Sequence, residues 1–373
     1  MSAAPPPTER EVSPAELKRY EELLREAEGI RGVSLGQDAW RRLRRNRAAM
    51  ISLVYLAGLA ALSFLTPLLP LQPPRKDATL RQFSSPTWES AAQYTGLSAE
   101  PTESEVATGF GQLNPLAGGL LRLRFALFGN YSLPSICGTD NLGRDLLARL
   151  FWGSRISLVV GLVAALVSLA IGVSFGATAG YLGGRVDNLM MRFVDVLYSI
   201  PFIFVVIYIM TILGSSDVKE WLEERGVNRI AIFFVVVGAI YWLTMARVVR
   251  GQVISLRKEQ FIEAARTIGA GRGRIIFRHL VPNLLSVIIV YLTLTIPQVM
   301  LFEAFLSFLG LGVDPPDVSW GLLANDGVRA ITSVRIYWWL VVFPGLALGL
   351  SLLALNFLGD GLRDAFDPRL KNR

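Results

Sequence analysis

The sequence contains one cysteine, Cys137, and one histidine, His279. A single cysteine closes no internal disulfide, so no cross-link holds this fold and none reports on its compartment. One histidine and one cysteine, far apart along the chain, exclude the usual zinc ligand sets and a Cys–His nucleophile pair. Charge is scarce too. Asp, Glu, Lys and Arg make up 18% of the 373 residues, where a soluble domain carries about 25%. No G-x-x-x-x-G-K-[ST] sequence is present, so the chain does not cradle a nucleotide in that way. The run GAGRG (269–273) has the composition of a phosphate loop, but it follows a helical stretch and not a strand. No apolar h-region lies near the start, so no cleavable leader is expected. There is no internal repeat.

What the sequence does have is apolar length. Hydrophobic residues make up 52% of the chain and the mean hydropathy is +0.44. They concentrate in six uncharged stretches, 48–74, 156–184, 196–216, 230–246, 280–302 and 336–359. Each meets the roughly 17–25 residues a helix needs to cross a bilayer. Within them the pattern predicts helices near 48–68, 156–179, 191–213, 230–247, 284–307 and 336–358. The expected fold is an all-α integral membrane protein with six transmembrane helices. Its parts are an N-terminal segment (1–47), a first span (48–69), a large loop (70–155), a core of five spans (156–358) that contains the segment 247–283, and a C-terminal segment (359–373).

The polar ends set the orientation. Residues 1–12 are Pro-rich and expected to be disordered; Ser13-Pro14-Ala15-Glu16 fits a capping box opening a charged helix that stops near Gly29. From Leu35 to Arg47, Trp40 accompanies Arg41, Arg42, Arg44, Arg45 and Arg47, which predicts an interfacial helix on an anionic leaflet. Between the fourth and fifth spans come Arg247, Arg250, Arg257, Lys258, Arg266, Arg272, Arg274 and Arg278. Both basic clusters fall on one side by alternation, and positive residues mark the cytoplasmic side. Both termini are then cytoplasmic. The net charge of +7 and the pI of about 9.7 reflect membrane orientation, and nucleic acid is not an expected partner. Tyr337, Trp338 and Trp339 fall at the opposite interface, where an aromatic belt belongs. The loop 70–155 lies outside; up to about residue 119 its composition allows disorder. LLRLRFALFG (120–129) is too short and too charged to span, and Arg122 and Arg124 are expected to be solvated.

The segment FIEAARTIGAGRGRIIFRHLVPN, Phe261 to Asn283, is the most informative. Phe261, Ala264, Ala265 and Ile268 recur at helical spacing as one apolar stripe. Gly269 suits a left-handed C-cap, and Gly271 and Gly273 keep the turn small. Ile275, Ile276 and Leu280 begin a second helical face, and Pro282 restarts the chain into the fifth span. The pattern predicts a basic helix-turn-helix knob able to enter a groove on a partner.

The segment resembles the EAA loop of ABC importer permeases, with Glu263, Ala264, Ala265, Gly269 and Pro282 at that motif's positions. His279 stands where Ile is usual and Val281 where Leu is usual; the His-x-x-Pro-Asn run is similar to the peptide-permease branch. GTDNLGRDLLARLFWGSRISL (138–158), FEAFLSFLGLGVDPPDVSWG (302–321) and NFLGDGLRDAFDPRL (356–370) resemble parts of the C-type subunit of oligopeptide and dipeptide permeases, and SLGQDAWRRLRRNRAAM (34–50) resembles its lead-in. The resemblance covers about 34–70 and 136–373 and leaves 71–135 unexplained. It implies a type I ABC importer permease core in a bacterial cytoplasmic membrane, with a cytoplasmic coupling loop that includes Arg274 and His279. It implies a second, B-type permease subunit, two ABC ATPase subunits and a periplasmic or lipid-anchored solute-binding protein. ATP is used by those partners; this chain is no enzyme and binds no cofactor or metal.

Single residues carry further expectations. The resemblance reads Glu263 as a contact across the ATPase interface; the alternative is a solvated helix charge. Asp195 reads first as a structural ion pair with Arg192 and second as a substrate-pathway residue, and Glu303 as either structural or pathway. Asp140, Arg144 and Asp145 read as a structural turn. The leading function is peptide import. The alternatives are import of nickel, an opine or a similar solute by the same family, and an ion-coupled secondary transporter. The last calls for inverted repeats and midplane charges, which the sequence does not display.

Overall fold

The structure, a computed structural model, describes residues 35–89, 101–111, 113–213, 215–225, 229–313 and 315–366. The expected disorder of 1–12 and the capped helix before Gly29 lie outside the described residues. The helices are α1 (Leu35–Leu43), α2 (Arg47–Leu65), α3 (Glu103–Phe110), α4 (Pro115–Phe128), α5 (Leu146–Leu182), α6 (Gly184–Ser199), α7 (Phe202–Leu213), α8 (Ser216–Glu224), α9 (Arg229–Leu256) and α10 (Gln260–Thr267). A helical run follows, made of α11 (Arg272–Arg274), a π-turn (Ile275–Leu280) and α12 (Val281–Asn283); α13 (Leu285–Phe308), α14 (Trp320–Arg329) and α15 (Trp338–Phe366) complete the chain. Among the described residues there is no named strand.

Among the described residues, five helices are long and apolar enough to cross a membrane: α2, α5, α9, α13 and α15. The expected sixth span falls on a bent pair, a broken span or a re-entrant loop. α6 and α7 together pass the same test but meet at 76°. The expected single helix over 191–213 is therefore corrected. Pro201 has no N–H and pushes its predecessor out of the helical region, and Ile200 is extended at φ −87°, ψ 124°.

Two spans run well past their apolar stretches. α5 begins at Leu146, where Asp145 caps it by accepting from Ala148 N at 2.7 Å. Its 37 residues make a rod of roughly 55 Å, against about 30 Å of hydrocarbon. α15 runs on to Phe366, where Ala365 packs with Ala39, Leu43 and Ala49. α1 thereby lies against the end of α15 and keeps Trp40, Arg41, Arg44 and Arg45 exposed.

α5 and α9 form the central pair, joined at a seam of small residues. A Cβ built on Gly172 would meet Trp242 O at 2.8 Å, on Gly176 Ala246 O at 2.2 Å, and on Gly180 Arg250 O at 2.8 Å. Glycine every fourth residue lets the two backbones touch, and packing of this kind holds helices together where the hydrophobic effect is absent.

The loop between α2 and α5 is ordered where it is described. Arg81 donates to Gln72 Oε1 (3.1 Å) and Ser135 Oγ (2.5 Å), while Gln72 donates to Leu133 O (2.9 Å). Arg124 is fully buried, which corrects its expected solvation; Arg122 is exposed. The Arg124 guanidinium donates to Leu71 O (2.8 Å), Ser132 Oγ (3.1 Å) and Tyr131 O (3.4 Å) and lies 4.7 Å from the Phe125 ring centre. It thus ties α4 to the chain leaving α2. Of the aromatics expected at the outer interface, Trp338 is exposed, Trp339 is buried and donates to Thr139 O (3.2 Å), and Tyr337 stacks on Phe83 at 4.1 Å. Asp140 pairs with Arg144 (2.8 Å) and with Arg149, whose other nitrogen reaches Asp326 at 3.4 Å. The cluster is a turn that locks the start of α5 to α14.

Candidate functional site

The segment 256–284 is built in two layers. α10 ends in a Schellman arrangement, with Gly269 at φ +82°, Gly269 N bonding Arg266 O (2.9 Å) and Ala270 N bonding Ala265 O (3.0 Å). The run from Arg272 returns to α13 through a wide turn in which Val281 N reaches back to Ile276 O. The cause is local. Pro282 offers no N–H to the carbonyl four residues before it, that of Arg278, and beside it Asn283 Nδ2 bonds His279 O at 2.6 Å.

The inner layer is apolar and continuous with the spans. Ile262 and Ala265 of α10 pack with Ile275, Ile276 and Leu280, and all five join Val173 and Ala177 of α5, Met245, Val249 and Val253 of α9, and Ile288 of α13. Arg257 adds a bond to Gly180 O at 3.0 Å.

The outer layer corrects the expected stripe. Ala265 faces inward, whereas Phe261, Ala264 and Ile268 are exposed, Ile268 at 84%. Spacing grouped Phe261, Ala264 and Ile268, which share the outward face, with Ala265, which does not. Ile262 is the inward residue that the pattern missed; it repeats with Ala265 at i+3. Glu263 is exposed beside Phe261 and Ala264. Arg274 is exposed, His279 is half-buried, and with Ile268, Ala270 and Arg278 they line an open cavity of about 390 Å³. Pro282 is exposed at the foot of the run. The result is a protruding ridge with an apolar edge, one carboxylate and several guanidinium groups.

The two pathway candidates lie elsewhere. Asp195 on α6 pairs with Arg247 of α9 at 2.7 Å, not with Arg192 as expected. Arg247 is held there by stacking on Tyr198 at 4.1 Å, and Tyr198 Oη is 2.6 Å from Thr244 Oγ1. This polar group is exposed and adjoins the break at Pro201. One turn away, Arg250 grips Asp187 through two nitrogens at 2.5 and 2.7 Å. Glu303 is fully buried within α13 and accepts from Ser307 Oγ at 2.7 Å. It is enclosed by this chain and does not touch the exposed group around Asp195.

Comparison with known proteins places these features in context. The family described as binding-protein-dependent transport system inner membrane component matches residues 172–372, and the N-terminal TM domain of oligopeptide transport permease C matches 34–86. The chain is 44% identical to the oligopeptide transport system permease protein OppC of Haemophilus influenzae over 232 residues, 62% of this chain and 70% of that protein. It is 48% identical to OppC of Escherichia coli K12 over 232 residues, 62% of this chain and 72% of that one. It is 43% identical to the dipeptide transport system permease protein DppC of Bacillus subtilis over 234 residues, 63% of this chain and 68% of that one.

Proposed function

Because this chain belongs to the family of binding-protein-dependent transport system inner membrane components, we propose that it is the permease subunit through which an ATP-driven importer passes peptides across the bacterial inner membrane. The relatives named above are oligopeptide and dipeptide permeases. A multi-pass chain of this family works with the other subunits of an ABC importer. The reading assigns it a second, B-type permease subunit, two ATPase subunits on the cytoplasmic side and a binding protein outside. Both termini and the ridge at 260–283 are cytoplasmic in this reading, supported by the arginines beside α2 and around α10.

The ridge is the coupling element. The observation that carries this is the single apolar cluster running from Ile262 and Ala265 into α5, α9 and α13. Force applied to α10 reaches three spans through side chains already in contact, as a physical coupling route requires. The exposed edge of Phe261, Glu263, Ala264 and Ile268 is what an ATPase groove would grip. The test is Glu263→Lys and Gly269→Val, read by co-purification of the ATPase and by peptide uptake into proteoliposomes. A β-branched residue at a left-handed cap costs about 1–2 kcal/mol locally. Both variants are expected to insert normally, lose ATPase association or uncouple hydrolysis from uptake, and leave solute capture by the binding protein unchanged. Normal coupled uptake by both would refute the assignment.

A further inference from the structure

The layer built by α3 and α4 does more than cover the spans. It closes one wall of a cavity of about 450 Å³ whose other walls are the loop-side turns of α5, Phe234 of α9 and the segment before α14. Phe110, Leu113, Trp152 and Phe234 supply its apolar side. Two guanidinium groups line it. Arg75 is neutralised by Asp317 at 2.5 Å. Arg155 is half-buried, stacks on Trp152 at 5.0 Å, and among the described residues pairs with no carboxylate. Two cations and one anion leave the cavity one positive charge in excess, inside low-dielectric walls that strengthen its field. The volume lies in the range of small-ligand sites, which combine apolar walls with a few placed polar groups.

One wall of the site comes from the stretch 71–135, and the rest from α5, α9 and the segment before α14. Gly111, at φ +81°, packs on the head of Arg75: a Cβ there would meet the Arg75 guanidinium carbon at 2.3 Å. Phe110 lies 5.9 Å from Trp152, joining α3 to α5. Phe110 and Leu113 lie in the stretch 71–135 that the resemblance leaves unexplained, whereas Trp152 and Arg155 lie in 138–158, which resembles the C-type subunit.

We propose that this cavity binds the C-terminal carboxylate and apolar last side chain of a short peptide, with Arg155 as the carboxylate partner and Trp152 and Phe234 as the walls. The proposal rests on the peptide-import reading. A planar guanidinium recognises a carboxylate through paired charge-assisted hydrogen bonds. A short peptide freed at the outer face carries one such group at its end.

The experiment uses the full importer in phosphatidylcholine nanodiscs, with the peptide Ala-Ala-Phe and its C-terminal amide as probes, followed by calorimetry. The free acid is expected to bind at least tenfold more tightly than the amide. Arg155→Gln should abolish that preference while melting as the wild type does. Asp317→Asn, which releases Arg75, should tighten binding of the acid severalfold, a gain that misfolding does not produce. Equal affinity for acid and amide, or an unchanged preference in Arg155→Gln, overturns the proposal. So does native mass spectrometry in which added phosphatidylglycerol displaces the peptide from wild type and is lost from Arg155→Gln, which would make the cavity a lipid headgroup site. Peptide uptake is measured in parallel. Uptake without the acid preference removes the cavity proposal alone, whereas a wild-type importer that moves no peptide removes the reading beneath it.

Discussion

Gly176 of α5 lies so close to Ala246 of α9 that a methyl group on it would stand 2.2 Å from the Ala246 carbonyl oxygen. Nothing flexible is available to move aside, because the obstacle is backbone. Gly176→Leu is therefore expected to push the two spans apart and to cost about 3 kcal/mol or more. The check is thermal melting in detergent beside Gly349→Ala, where nothing lies within 4 Å. That control should melt at or slightly above the wild type, since alanine favours a helix over glycine by about 0.5–1 kcal/mol.

Asp145 supplies a pH signature. Burial pushes its carboxyl up to about 7, with the nearby charges and hydrogen bonds acting only secondarily. In the unfolded chain the group titrates near 3.9. Between about pH 4 and 7 the folded protein therefore holds a proton that the unfolded chain has lost, and stability falls as pH rises through that window. Asp145→Asn keeps the cap and should remove this fall, so the difference in melting temperature between wild type and variant changes across the window and is flat outside it. Asp145→Ala should lose about 1 kcal/mol of capping at every pH.

Arg124 joins three acceptors that no other side chain gathers. Burial lowers its pKa to about 10, still well above neutral, so it stays charged. Removing it leaves Leu71 O and Ser132 without their donor and frees α4. Arg124→Ala is expected to destabilise by about 2–4 kcal/mol and to speed proteolysis within 101–128. Arg124→Lys should rescue only in part, since an ammonium lacks the planar fork. Unchanged proteolysis in both variants would contradict the anchoring role.

Topology is testable because Cys137 is silent. It is buried, and burial together with the nearby Asp145 pushes its thiol up to about 12. A membrane-impermeant maleimide should leave the folded wild type unlabelled. Leu80→Cys, at a position 95% exposed in the loop layer, should label in spheroplasts; Ile268→Cys, 84% exposed on the ridge, should label only in inverted vesicles. The reverse pattern would invert the orientation.

The spans were legible because an apolar run of sufficient length has few other fates. Their ends were not. α5 and α15 gain whole turns from contacts with Asp326 and with α1, which depend on distant residues. The break at Pro201 was written in the sequence through the rule for residues before proline, but continuous hydropathy masked it. The ridge was legible as a motif, and the inward residues Ile275, Ile276 and Leu280 were named, but the first stripe mixed inward and outward positions. Which face looks outward was not legible, since periodicity is blind to what lies on either side. The burial of Arg124 left no local trace at all: its partners are carbonyls from separate segments.

The bend between α6 and α7 has a consequence for how the subunit sits among its neighbours. The last carbonyls of a helix have no partner within it; here Ser199 Oγ meets Val196 O and Ile200 N meets Leu197 O, and Pro201 brings no N–H for those that follow. In hydrocarbon each such group left dry costs several kcal/mol. The bend adjoins an exposed charged-and-hydroxylated patch made by Tyr198, Thr244, Arg247 and Asp195. Amide exchange in nanodiscs should accordingly be faster at 199–202 than at 205–212, and slow exchange there would contradict a hydrated bend. A molecule so arranged has a dry flank and a moist one. Fast exchange at the bend would mark the flank that turns away from the lipid tails, toward water or a neighbouring chain.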